Sequence, residues 1–275
     1  MSDFADKYGP WTLVVGASDG CGALFAERLA REGVDVVLVA RRDQVLQEVA
    51  AGIAERTGAI TRTVAVDLTQ ADAAQTIIDA TADIEVGMLV YCAGADPNYQ
   101  PFLANPVSAA EALLQRNCLV LLRLCHHYAG MMVERGRGGI VNFSSGAALA
   151  GGPNMVAYAA TKAFDMVFTE ALWAELHAKG VDVLCLLLGK TDTPALRQLE
   201  HSRGQIASLD DVPPGAIPAQ DVIDEAFDNL TNGPTLMVGD MMRMAEDVFK
   251  TLSRNDAVKM VIQAAAQAMG PDGEH

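Results

Sequence analysis

The residues best suited to chemistry lie in two short stretches, "GGIVNFSS" ending at Ser145 and "YAATK" running from Tyr158 to Lys162. Tyr158 and Lys162 are four residues apart, so on a helix the phenol and the ammonium emerge on one face. A cation beside a phenol favours the phenolate, which makes a tyrosine a workable acid or base near neutrality. Ser145, thirteen residues before the tyrosine, offers a hydroxyl able to hydrogen-bond an oxygen on which charge develops. These parts would protonate an alkoxide. Each also has a plain alternative: Tyr and Lys at helical spacing form an ordinary amphipathic pair, and "SS" after a strand is a common turn or cap.

A second cluster is "VVGASDGCG", in which Gly16, Gly20 and Gly22 follow a run of β-formers and lead into a helix. Glycines let the backbone turn tightly against a pyrophosphate, whose charge is met by amides and by the positive end of the helix dipole. The spacing is GxxxGxG rather than GxGxxG. The next strand ends "VLVARRD", with Ala40 where a carboxylate would grip the 2′-hydroxyl of NAD and with Arg41 and Arg42 placed to meet the extra phosphate of NADP. NADP(H) is therefore the expected cofactor, with NAD(H) as the other candidate. Asp19 conflicts with that choice unless it faces away while Ser18 and Arg41 face the phosphate. Asp67 and Leu68 close the third strand at the expected adenine rim, although a turn-forming aspartate explains Asp67 nearly as well.

The elements that must carry these residues alternate along the chain. "WTLVVGA", "VDVVLVA", "ITRTVAVDL", "VGMLVYCAG", "GGIVNFSS", "VDVLCLLLG" and "PTLMVGD" are short, β-branched and nearly all apolar, as strands covered on both faces should be. Helical periodicity marks 23–32, 44–56, 71–82, 109–135, 156–179 and 219–230, and glycine closes several of these. Such βα alternation predicts one α/β domain over 1–275, a doubly wound Rossmann fold with a parallel sheet of about seven strands and helices on both faces. The less regular 191–218 is a candidate substrate lid, and 240–275 reads as a helical carboxyl-terminal extension.

Bulk properties narrow the function. With 35 acidic and 20 basic residues the net charge is −15, which disfavours nucleic acid and anionic membrane surfaces. No apolar run approaches the roughly 20 residues that span a bilayer, and no signal peptide opens the chain, so a cytoplasmic protein is expected. Cys21, Cys92, Cys118, Cys125 and Cys185 are scattered without zinc spacing and read as buried reduced thiols. His126 and His127 are adjacent and cannot chelate one ion together on a helix, so no metal is expected. Met237, Met241, Met242 and Met244 cluster after the last strand and would either line an apolar pocket or pack in the core or at a subunit contact.

In this order and at these strand ends, the motifs resemble the short-chain dehydrogenase/reductase family over about the first 240 residues. "GASDGCG" stands for TGxxxGxG, "CAG" at Cys92, Ala93 and Gly94 for NAG, and "GKTDT" supplies Gly189, Thr191 and Thr193. The resemblance implies that Tyr158 is the proton donor or acceptor, that Ser145 positions the substrate carbonyl and that Lys162 holds the nicotinamide ribose. It implies that Asn117 completes the tetrad by holding a relay water, that Thr193 meets the nicotinamide carboxamide, and that Gly94 flanks the adenine ribose. Cys92 in place of Asn and Leu188 in place of Pro are departures at strand ends beside the cofactor. Within the family the pattern looks most like the branch of 17β-hydroxysteroid dehydrogenases of types three and twelve and very-long-chain 3-oxoacyl-CoA reductases. An NADP(H)-dependent oxidoreductase of apolar ketones or secondary alcohols, steroid-like or 3-oxoacyl, is thus expected, as a homodimer or homotetramer. The alternative is a non-catalytic nucleotide sensor or scaffold on the same fold.

Overall fold

The computed structural model describes residues 3–95 and 99–269. The seven expected strands are all present: β1 (Trp11–Val15), β2 (Asp35–Ala40), β3 (Thr61–Ala65), β4 (Val86–Tyr91), β5 (Gly138–Ser145), β6 (Val181–Leu188) and, after two short strands β7 and β8, β9 (Thr235–Met237). They pair in parallel in the order β3-β2-β1-β4-β5-β6-β9. All six residues of β4 are buried, as a central strand covered on both faces requires. The chain leaves β1 toward β2 on one side and later returns to β4 on the other. The carboxyl ends of β1 and β4 therefore part, which is where doubly wound sheets bind ligands.

One face of the sheet is covered by α2 (Gly20–Arg31), α3 (Asp43–Thr57) and α9 (Ala219–Asp228), through Phe25, Leu29, Leu46, Ile53 and Val222. The other face is covered by α4 (Ala73–Asp79), α6 (Val120–Arg135) and α7 (Val156–Leu176), with Ile77, Leu121, Leu124 and Tyr128 in its core. Close approach explains the glycine that caps the 3-10 turn His177–Lys179 after α7: a Cβ on Gly180, at φ +85°, would lie 2.1 Å from the carbonyl oxygen of Gly136. A short amino-terminal helix, α1 (Asp3–Tyr8), lies outside the pattern read from the sequence. It is tied down by the Tyr8 hydroxyl, which donates to Asp182 at 2.6 Å.

Three segments differ from expectation. The continuous helix expected over 109–135 is α5 (Val107–Leu114) and α6 joined by a π-helical turn, Gln115–Leu119. The helix expected over 71–82 shortens to α4, flanked by turns. The expected irregular lid is ordered: β7 (Thr191–Asp192) pairs with β8 (Ile217–Pro218), and α8 (Pro194–Ser202) lies between them. Arg197 binds it together, gripping Asp192 at 2.6 and 2.8 Å and the carbonyls of Leu209 and Asp210 at 3.2 and 3.1 Å. The carboxyl-terminal extension consists of α10 (Asp240–Thr251) and α11 (Arg254–Met269); residues 1, 2 and 270–275 of the expected domain lie outside the described residues.

Candidate active site

The glycine turn between β1 and α2 is closed by backbone. A Cβ on Gly22 would lie 2.1 Å from the Gly16 carbonyl oxygen, and one on Gly16 would lie 2.8 Å from the Ala93 amide, so these glycines bring the β1 and β4 ends together. Asp19 is the N-cap of α2 and its Oδ1 accepts the Gly20 amide at 2.7 Å. No acidic residue follows in the first turn of that helix.

Behind this turn a cleft of about 280 Å³ runs across the sheet ends. Gly16, Asp19, Gly20, Cys21, Gly22, Cys92 and Gly94 line it on one side. Ser145, Tyr158, Lys162, Gly189, Thr191 and Thr193 line the other. Leu188, expected beside the cofactor, borders it too, as do Ala95, Phe143, Ser144 and Ala195, which sequence reasoning did not single out. Of the remaining expected residues, Ser18, Arg41, Arg42, Asp67, Leu68, Ala93 and Asn117 do not form its wall.

Lys162 is 3% exposed, and its Nζ donates to the Phe143 carbonyl at 2.8 Å and to Asp165 Oδ2 at 2.9 Å, leaving one proton. It lies 5.9 Å from the centroid of the Tyr158 ring. A Cβ on Gly94 would come within 2.8 Å of Nζ, so the glycine makes room for the ammonium. Ser144 fixes α7 to β5 by donating to the Lys162 carbonyl at 2.8 Å. Ser145 Oγ accepts the Ala147 amide at 3.2 Å, which fixes the oxygen and leaves its proton for a ligand. Asn117 is fully buried in the π-helical turn and reaches the same helix: Nδ2 donates to Thr161 Oγ1 at 2.8 Å, and Oδ1 accepts Arg116 Nε at 3.1 Å.

The family pattern described as short chain dehydrogenase matches residues 10–204. This chain belongs to that family. A 7beta-hydroxysteroid dehydrogenase of Clostridium sardiniense is 34% identical over 260 residues, covering 93% of this chain and 95% of its own. A very-long-chain 3-oxoacyl-CoA reductase of Homo sapiens is 35% identical over 182 residues, 65% of this chain and 58% of its own, so the branch named from the motifs is among the relatives. Among solved structures, a short-chain dehydrogenase from Sphingobium yanoikuyae in complex with NADPH superposes with a TM-score of 0.75 at 28% identity, covering 96% of this chain and 99% of its own. As a short chain dehydrogenase, the protein is an oxidoreductase of the alcohol/ketone type.

Several details correct the sequence reading of this short chain dehydrogenase. Asp19 does not face away: it lines the cleft, because the cap it makes draws its carboxylate to the helix start. The two arginines diverge. Arg42, not Arg41, reaches toward Ser18 at 3.5 Å and stands 3.9 Å from Asp19, whereas the charge of Arg41 acts on Asp67. Asp67 is a turn residue that accepts the Thr69 amide at 3.0 Å and its hydroxyl at 2.9 Å. Those bonds, Thr69 amide first, hold its carboxyl below the usual range, with Arg41 assisting. Leu68 is buried in the core. Thr193 Oγ1 caps α8 by accepting the Leu196 amide at 3.2 Å, while its methyl packs on Gly20. Among the described residues, the buried hydroxyl without a protein partner is that of Thr191.

All five cysteines are free, but Cys21 and Cys92 are only half-buried because they edge the cleft. Burial pushes the thiols of Cys21, Cys118 and Cys185 up to about 12. Among the described residues no cluster suited to a metal ion occurs, and no helix is long and apolar enough to cross a membrane. The methionine cluster divides: Met242 packs with Cys185, Leu187, Met166 and Met237 behind the cleft, while Met241 and Met244 project outward. Helix α11 lies over the loop before Tyr158, where a Cβ on Gly152 would meet Val261 at 2.8 Å.

Proposed function

We infer that this chain uses NADP(H) to reduce a ketone on a bulky apolar molecule, steroid-like in the first instance, and that it works in the cytoplasm as a homodimer or homotetramer. The observation that carries the reading is the position of Tyr158. It borders both the large cleft and a second, smaller cavity whose wall includes Phe102, Pro106, Leu113, Met155 and Val156. The larger is glycine-lined and holds the Lys162 ammonium; the smaller sets those apolar side chains beside the amides of Gln100, Asn105 and Asn154. A phenol between them suits proton transfer between a bound dinucleotide and an apolar carbonyl compound.

The residues present fit the dinucleotide. Gly16 and Gly22 leave no room for side chains where backbone must approach a pyrophosphate, and the α2 amides lie at the same turn. Arg42 beside Ser18, with Ala40 in place of a carboxylate, favours a 2′-phosphate. The structural neighbour in complex with NADPH supports the same choice. Lys162 would hold the nicotinamide ribose with its remaining proton, and the unpartnered Thr191 hydroxyl would meet the carboxamide. When bound, the reduced nicotinamide supplies the hydride. Ser145 would hydrogen-bond the carbonyl oxygen while keeping its proton, and Tyr158 would transfer the one proton that the oxygen takes up as charge develops there. Asn117 and Thr161 brace the helix that carries both Tyr158 and Lys162.

The 7beta-hydroxysteroid dehydrogenase relative, which aligns over nearly its whole length, makes steroid ketones the first substrates to try. Oxidation of NADPH and NADH should be followed with steroid ketones, 3-oxoacyl thioesters and smaller apolar ketones. Turnover with NADPH is expected on the steroid panel. Tyr158→Phe should lower kcat by about 10²- to 10⁴-fold while NADPH still binds. Wild-type turnover in that variant would overturn the mechanism, and NADPH binding without turnover on any ketone would point to a sensor.

A further inference from the structure

Directly beneath the chemistry lies a charged group that the proposed reaction does not use. Asp165 is 2% exposed, three residues after Lys162 on α7, and its Oδ2 is 2.9 Å from the lysine ammonium. A carboxylate in the interior is costly unless paired and hydrogen-bonded, and its loss leaves the partner charge uncompensated. The surroundings are polar but neutral. Asn142 of β5 donates to the Asp165 carbonyl at 3.3 Å and to Thr169 Oγ1 at 3.0 Å, and Thr169 donates to the Asp165 carbonyl at 2.6 Å. The second carboxylate oxygen, Oδ1, has no protein partner. Lys162 is thereby held between a strand carbonyl, Phe143, and a helix carboxylate, with Gly94 packed against Nζ.

We propose that Asp165 is a positioning residue whose buried carboxylate anchors the Lys162 ammonium beside Tyr158 and aims its remaining proton into the cleft. This rests on the proposed roles of Tyr158 and Lys162. Burial alone would favour the neutral amine, and Asp165 reverses that, so the lysine holds its proton more tightly than usual. The titratable groups facing the pair from the elements around it are Tyr91 of β4, Cys92 after it, Cys118 of the π-helical turn, Cys125 of α6, Cys185 of β6 and Tyr158 of α7. Burial pushes the Tyr91 phenol and all four thiols upward, so they stay neutral near neutral pH. Nothing among them replaces the charge of Asp165.

Asp165→Asn keeps the shape and removes the charge. Two readouts are needed: the pH profile of kcat/KM for ketone reduction, and NADPH affinity followed by nicotinamide fluorescence, with circular dichroism to verify the fold. The alkaline limb should move down by about one pH unit, because an unpaired buried ammonium surrenders its proton sooner. NADPH affinity should fall about tenfold, because the ribose partner is no longer fixed. Asp165→Glu keeps the charge but displaces it, so it should retain the wild-type limb while still weakening NADPH several-fold. A wild-type profile together with wild-type NADPH affinity in Asp165→Asn overturns the proposal. Should that variant not fold, unchanged NADPH affinity in Asp165→Glu overturns it instead. If the wild type turns over no ketone, the functional reading fails, and the affinity readout still decides the role of Asp165.

Discussion

Asp19 sits where an acid should hinder an anionic ligand, and its bonds offset much of that hindrance. One carboxylate oxygen is occupied by the Gly20 amide and the other stands 3.9 Å from Arg42. The guanidinium therefore balances the acid while keeping donors free for a phosphate. This predicts an asymmetry within the arginine pair: Arg42→Ala should weaken NADPH binding by about tenfold and leave NADH nearly unaffected, whereas Arg41→Ala should do much less. Fluorescence titration of both cofactors checks it, and equal losses in the two variants would refute it. That Ser145, Tyr158 and Lys162 would meet at one cleft was legible in the sequence because strand ends and an i, i+4 spacing on one helix leave few arrangements. Asp165 was not, because an acid three residues from a lysine usually marks a solvated helix face; only its 2% exposure separates it from that reading. Nor could sequence tell which arginine turns inward, or that Thr193 would spend its oxygen on a helix cap.

At the scale of elements, strand identity came through because continuous apolar runs of β-branched residues bounded by glycine have few other uses. What stayed hidden were departures of one residue or one turn. The π-helical turn at Gln115–Leu119 inserts one extra residue into an otherwise uniform helical pattern, which periodicity averages away, yet it carries Asn117. The 191–218 segment read as irregular because "DDVPPGAIP" breaks any pattern, while Arg197, which orders it, also reaches across to the carbonyls of Leu209 and Asp210, a contact that no local pattern displays. The β1–α2 turn offers the sharpest test of an element. A Cβ on Gly22 would collide with backbone at 2.1 Å, and no rotamer relieves that. Gly22→Ala should lower stability by about 1–3 kcal/mol and lower NADPH affinity at least about tenfold, since the turn must open to accept it. Thermal unfolding with and without NADPH measures both, and an unchanged midpoint with unchanged ligand stabilisation would show that the turn is not a backbone cradle.

Taken as a whole molecule, the chain leaves apolar side chains exposed on neighbouring helices. Val107 and Leu114 on α5, Leu122 on α6, and Val156 and Val167 on α7 are 66%, 46%, 40%, 53% and 57% exposed. Val156 and Val167 recur on one side of α7, the helix that also holds Tyr158 and Lys162. A net charge of −15 opposes association in general, so a patch of apolar residues on long helices has to overcome repulsion with a substantial buried area, of order 1,600 Å² for a stable pair. The proposed oligomer is therefore expected to be salt-tolerant or salt-strengthened, because screening removes repulsion while leaving apolar burial intact. Size-exclusion chromatography with light scattering should give a dimer or tetramer whose population does not fall as salt is raised. Val167→Glu should shift it to monomer, because the substitution places a charge within the apolar contact. Circular dichroism should be unchanged, since Val167 faces solvent in the single chain. A wild-type monomer at micromolar concentration, or a Val167→Glu oligomer as stable as the wild type, would remove α7 from the interface and leave that face unexplained by assembly.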